Sequence, residues 1–207
     1  MKQQTVHLFV FDTLADWEPG FAIAGLNNPA FQAQPGRYRV ATVGAGKAPI
    51  VTIGGVRILP DLAIEELTLE DSAMLILPGG GGWDQGEHTQ ALDLAKRSLA
   101  AGVPVAAICG ATAGLARAGM LDSVRHTSNA RAYLAATGYQ GAALYQEQPA
   151  VTDGNVITAG STAPIEFAYQ IFKQLDVYSD EALDAWFGLF KTGDAAYYDA
   201  LTQQATA

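Results

Sequence analysis

The sequence predicts an α/β protein: a mostly parallel sheet covered by helices on both faces, with added hairpins and a helical extension at its C-terminal end. Three observations predict it. Strand-like and helix-like segments alternate along the chain, the pattern of a parallel sheet built from crossover units. The strand-like runs are continuously apolar rather than alternating, as strands buried on both faces require. Gly, Asn and Pro punctuate the boundaries between segments, where helices stop and turns form.

Residues 5–11 are a β-branched and aromatic run that reads as a buried first strand. Residues 14–26 have helical periodicity and stop at Asn27-Asn28-Pro29. A second strand is expected over 37–43. Residues 50–53 and 56–59 flank Gly54-Gly55, the signature of a tight hairpin. The strand at 72–77 runs into Pro78 and four glycines, Gly79 to Gly82. A helix over 90–101 closes at Gly102, and the strand over 103–108 ends at Cys109. A helix follows over 111–118 with Gly119 as its C-cap, then a short helix over 129–136. Residues 150–152 and 156–159 flank the turn signal Asp153-Gly154-Asn155. Helices over 163–175 and 180–190, and a short helix over 194–202 with a fraying tail, complete the chain. The expected organisation is an α/β domain over 1–177 with a helical extension, 178–207, packed on it.

The chain has 207 residues, 49% of them hydrophobic and 16% charged, which indicates a globular protein with a core of its own. Its formal net charge of -9 and scattered Lys and Arg argue against nucleic acid or an anionic membrane as partner. No apolar run approaches a bilayer span, and the N-terminus lacks a signal-peptide pattern, so a cytoplasmic location is expected. One cysteine excludes an internal disulfide, and His7, His88 and His126 lie far apart, without metal-ligand spacing. No metal, nucleotide or flavin site is expected.

Cys109 stands where open α/β sheets place their sites, beyond the carboxyl end of a strand. In Ala107-Ile108-Cys109-Gly110-Ala111 small residues lie two before and two after the thiol, as a sharp nucleophile elbow requires. The helix that follows aims N–H groups and its positive dipole end at the sulfur, which favours thiolate and can hold a developing oxyanion. A small buried hydrophobe is the plain alternative. The run Gly79 to Gly82 follows another buried strand and belongs at the same edge. It offers backbone N–H groups, while the Lys and Ser/Thr of a phosphate loop are missing. Asp16 and Glu18 open the first helix. Asp16 reads as its cap, and Glu18 as either a dipole partner or a carboxylate reaching the thiol. Beside a thiolate, that carboxyl must be protonated or hydrogen-bonded.

Leu77-Pro78-Gly79-Gly80, Ala107-Ile108-Cys109-Gly110, residues 153–160 and Glu166-Phe167-Ala168 resemble the ThiJ/PfpI superfamily. That group is similar to the class I glutamine-amidotransferase domain and includes the parkinsonism-associated protein. The resemblance covers residues 5–176. It implies a flavodoxin-like three-layer sandwich, usually a homodimer, with Cys109 at the elbow, Glu18 as its carboxylate partner, and Gly80 and Gly110 as oxyanion donors. Two departures limit it. Gly110 occupies the place where protease-like members carry histidine, so protease chemistry is not expected. In Arg125-His126-Thr127-Ser128-Asn129, Asn129 takes the position of another member histidine, and His126 lies three residues earlier. In an extended stretch these two side chains point to opposite sides, so His126 reads as either a catalytic base or a structural histidine. Gly79, Asn129 and Trp83 are expected to contact substrate. His88 reads as a loop residue and His7 as structural. Trp186, Phe187 and Phe190 form an apolar face that reads as core packing, or as a dimer contact or active-site wall.

The resulting expectation is a cysteine-dependent enzyme acting on a small carbonyl or amide compound, glyoxalase-, deglycase- or amidase-like. The alternatives are a redox-responsive stress protein whose thiol is oxidised, and a glutaminase-like protein by fold alone. Glu166 offers the last reading a glutamate, but no histidine stands two residues before it.

Overall fold

The computed structural model describes residues 3–204. Residues 1–2 and 205–207, at the two ends of the expected domain spans, lie outside the described residues. A seven-stranded sheet forms the middle layer. Its strands are β1 (Gln4–Phe9), β2 (Tyr38–Gly44), β5 (Leu62–Ala63), β6 (Ser72–Leu77), β7 (Val105–Ile108), β8 (Ala150–Asp153) and β9 (Val156–Ala159). They are ordered β5-β2-β1-β6-β7-β9-β8, all parallel except the edge strand β8. The mostly parallel α/β class expected from the alternation, and the flavodoxin-like arrangement that the resemblance implies, are thus observed. β1, β6 and β7 are buried along almost their whole length, which explains their continuous apolar runs.

On one face α1 (Trp17–Asn27) packs with α5 (Pro164–Gln174), and α2 (Thr89–Ala100) and α3 (Gly110–Arg117) cover β6 and β7. The short α4 (Arg131–Ala135) leans on α3. The expected hairpins form: β3 (Ile50–Val51) with β4 (Arg57–Ile58), and β8 with β9. Helices α6 (Asp180–Thr192) and α7 (Ala195–Gln204) follow, with α6 against α5. Ser179 caps α6 by accepting the Ala182 N–H at 3.1 Å. Gly193, at φ 72°, ends it, a conformation that favours glycine. Trp186 is buried against Phe172 with ring centroids 4.9 Å apart, so the first residue of the expected apolar face is core. Phe190 stays half exposed.

One helix start and one short strand differ from expectation in ways that bear on the site. α1 starts at Trp17 rather than residue 14 because Leu14 and Ala15 spend their backbone groups elsewhere. The Leu14 carbonyl accepts from Ile53 N at 2.9 Å, and Ala15 N donates to the Gly79 carbonyl at 3.0 Å. Asp16 precedes α1 without a side-chain cap bond; its carboxylate accepts the Gly54 N–H at 2.7 Å. β5 was not anticipated: two residues show no periodicity, and only pairing with Val43 and Gly44 makes them a strand.

Candidate active site

The site is assembled at the carboxyl ends of β6 and β7. Cys109 follows β7 and opens α3 with φ 58° and ψ -126°, a strained conformation for a residue with a Cβ. Its N–H donates to the Ala159 carbonyl at 3.0 Å, and its carbonyl accepts from Thr112 N at 3.1 Å. The Thr112 hydroxyl donates to the same carbonyl at 2.5 Å and lies 2.6 Å from Ser128 Oγ. These bonds over-determine the elbow, and the half-buried sulfur is held above the start of α3.

Glu18, in the first turn of α1, is completely buried. Its Oε2 accepts the Gly79 N–H at 2.5 Å, and its carboxyl is hydrogen-bonded with the thiol. Its Oε1 is buried with no hydrogen-bond partner among the described residues. Burial pushes the Glu18 carboxyl up to about 7, while the bonds from Gly79 and Cys109 favour the anion less strongly. The thiol is pushed up to about 11, by burial first and by the Glu18 charge second; donors from Asn129 and Gly110 act in the opposite direction. The lowering expected from the helix N-terminus is therefore outweighed. With Glu18 neutral its charge no longer opposes thiolate, so the two groups titrate as one coupled pair.

Gly79 is indispensable on steric grounds. A Cβ there would lie 2.6 Å from Cys109 Cβ, 2.7 Å from Glu18 Oε2 and 2.9 Å from the sulfur. With the Gly79 N–H committed to Glu18, the next donor along the loop is Gly80 N–H, which makes no hydrogen bond among the described residues. Gly110 N–H is directed at the sulfur. Asn129 Nδ2 lies 3.6 Å from the sulfur, and its Oδ1 accepts the Ser161 N–H at 2.8 Å. Cys109, Glu18, Gly79 and Asn129 are thus brought together.

His126 is not brought to the thiol, which corrects its candidacy as a base. Its ring is fully buried; Nδ1 pairs with the Val124 carbonyl at 2.8 Å and Nε2 with the Tyr139 hydroxyl at 3.0 Å. Both nitrogens are spent, and burial lowers its basicity. Trp83 is likewise corrected from substrate contact to core. It is 1% exposed, donates to the Pro78 carbonyl at 3.0 Å, and lies over Gly110 and Gly114, where added Cβ atoms would strike its ring. His88 packs on Phe11 with centroids 4.3 Å apart, and His7 is buried against Ser72.

The sequence reading missed Tyr133 and Asp84. The Tyr133 hydroxyl donates to Asp84 Oδ1 at 2.6 Å, and Arg117 holds the Trp83 carbonyl at 2.8 Å, so α4 is tied to the glycine loop. The four-residue spacing from Asn129 to Tyr133 was the available signal, but helix periodicity alone names no partner across 49 residues.

Among the described residues, no group of three or more His, Cys, Asp or Glu side chains could hold a metal ion, and no helix is long and apolar enough to cross a membrane.

A flavodoxin-like sheet with a cysteine elbow facing a buried carboxyl defines a class of α/β proteins. Within it, this chain belongs to the DJ-1/PfpI family, whose family model matches residues 4–174. It is 41% identical over 201 residues to a Bacillus subtilis protein named uncharacterized protease YoaZ, covering 96% of each chain. It is 27% identical over 144 residues to the glutathione-independent glyoxalase DJR-1.2 of Caenorhabditis elegans, covering 68% of this chain and 75% of that protein. A crystal structure of a thiJ/pfpI family protein from Bacillus anthracis superimposes with a TM-score of 0.91 at 42% identity, over 99% of each chain.

Proposed function

We propose that the protein is an enzyme in which Cys109 adds to the carbonyl carbon of a small aldehyde, ketone or amide. The observation that carries this reading is the strained Cys109 elbow against a buried carboxyl held near 7, a value suited to general acid–base work near neutral pH. Ionised Glu18 takes the thiol proton as sulfur bonds to carbon. The carbonyl π electrons move to oxygen, where Gly80 and Gly110 N–H donate to it. Protonated Glu18 then returns its proton to the adduct oxygen. In a 2-oxoaldehyde adduct a proton shift from the former aldehyde carbon to the neighbouring carbonyl carbon gives a thioester, which water hydrolyses to the 2-hydroxy acid and the free thiol. A small 2-oxoaldehyde fits this sequence best, because its addition needs no leaving amine to be protonated; the glyoxalase named among the relatives supports the same choice. Amide hydrolysis is less well served, since His126 is spent.

The test is turnover of 2-oxoaldehydes and of glutamine by wild type and Cys109→Ser. Thiol-dependent loss of the aldehyde supports the reading. Clean oxidation of Cys109 by peroxide with no turnover of either compound replaces it with the redox-responsive role. A homodimer belongs to the same proposal. Half-exposed Trp17, Phe190 and Tyr198 leave an apolar groove between α1 and the C-terminal helices, and sedimentation as a monomer would remove that part.

A further inference from the structure

Beside Asn129 lies a second feature that thiol chemistry alone does not use. A cavity of about 350 Å³ is lined by Ser128, Asn129, Gln148, Ser161, Thr162 and Lys191, among others. That volume is at the small end of the range for small-molecule sites. Its link to the thiol is Asn129, which lines the cavity while its amide lies 3.6 Å from the sulfur. Ser128, also in the wall, reaches the elbow through Thr112. Asn129 therefore stands between the thiol and this space, touching both.

The wall's chemistry indicates what would enter. Lys191 Nζ is paired with Glu166 Oε1 at 2.5 Å, so the two charged side chains cancel within the wall and offer no net charge to an ion. Three neutral groups of the wall are unspent: the Ser161 and Thr162 hydroxyls and the Gln148 amide make no hydrogen bond among the described residues, and the buried Glu166 Oε2 adds an acceptor without a partner. Each can both donate and accept. A neutral ligand bearing several hydroxyls satisfies such a set; an alkyl tail would leave it unpaired, at a cost in affinity. Lys191 lies in α6, beyond the segment that matches the family model, so the C-terminal extension supplies part of the wall.

We propose that this cavity is the subsite for a polyhydroxylated tail, and that the preferred substrates are neutral, sugar-like hydroxy-carbonyl compounds rather than plain aldehydes. The inference rests on the reading of Cys109 as a carbonyl-directed nucleophile. The test compares kcat/KM for 3-deoxyglucosone, a neutral 2-oxoaldehyde with a hydroxylated tail, with that for 2-oxohexanal, its alkyl counterpart of equal length, in wild type and in a Thr162→Val, Gln148→Leu double variant. Both replaced side chains are exposed, so folding is preserved. The ratio is taken within one protein, so a general loss of activity does not move it. Wild type is expected to favour 3-deoxyglucosone by about tenfold or more, and the double variant to lose most of that preference, chiefly through KM. An equal ratio in both proteins, or a wild-type preference for 2-oxohexanal, overturns the subsite. If wild type turns over no carbonyl compound, the functional reading fails first. Titration of 3-deoxyglucosone into Cys109→Ala by calorimetry then decides the subsite separately. Saturable binding lost in the triple variant supports it, and absence of binding overturns it.

Discussion

The Glu18 carboxyl and the Cys109 thiol share one buried space, closed by the backbone of Gly79. Glu18 Oε2 accepts the Gly79 N–H at 2.5 Å, and a single added Cβ on Gly79 would sit within 3 Å of both residues. Carboxyl, thiol and glycine loop are therefore packed as one unit.

Activity should follow the protonation of Glu18. As pH rises through about 7, Glu18 becomes the anion that accepts the thiol proton, so kcat/KM should increase and then level off. Glu18→Gln should remove that inflection and lower kcat by about 100-fold or more. The same change removes the charge that opposes thiolate, so the thiol should titrate below the wild-type value of about 11. Ultraviolet titration of the thiolate beside pH–rate profiles checks both, and an unchanged thiol titration in the variant would refute the coupling.

Stability should fall across the same window. The Glu18 carboxyl is held at about 7 in the folded protein against an ordinary 4.5, so the native state binds this proton more tightly than the unfolded chain. The stabilisation is complete below 4.5 and is lost as pH rises through 7, by about 3 kcal/mol at most. Urea unfolding at pH 5 and pH 8 should show wild type losing more than Glu18→Gln does.

Gly79→Ala should be severe. Its Cβ meets Cys109 Cβ at 2.6 Å and Glu18 Oε2 at 2.7 Å, so either the loop or the pair must move. A loss of about 1–3 kcal/mol and near-complete loss of turnover are expected. Full activity would show that the loop yields without disturbing the site.

Cys109→Gly should be inactive yet no less stable than wild type. The positive φ of 58° at this position carries strain of about 1–3 kcal/mol for a residue with a Cβ, which glycine relieves. Calorimetric melting of the two proteins measures it; a clear fall in melting temperature would mean the elbow is not strained.

His126→Phe separates structure from catalysis. It leaves the Val124 carbonyl and Tyr139 hydroxyl without their partners, at a cost of about 1–3 kcal/mol. Turnover per folded molecule should be retained, and its loss would return His126 to the catalytic group.

What the sequence determined by itself was whatever local pattern encodes. Continuous apolar runs at β1, β6 and β7 named the sheet, and small residues around Cys109 named the elbow. The glycine run 79–82 followed from its place after a buried strand, and Gly80 and Glu18 in particular from the family resemblance. Tertiary structure alone decided how the polar groups are spent. Whether His126 is free depends on Val124 and Tyr139, whether Trp83 faces substrate or core depends on the room above Gly110 and Gly114, and the thiol's position in pH depends on how deeply Glu18 is buried. The physical reason is the range of the forces involved. Strand and helix patterns repeat along neighbouring residues, whereas desolvation, hydrogen bonding and charge coupling act between groups that only folding brings within a few ångströms.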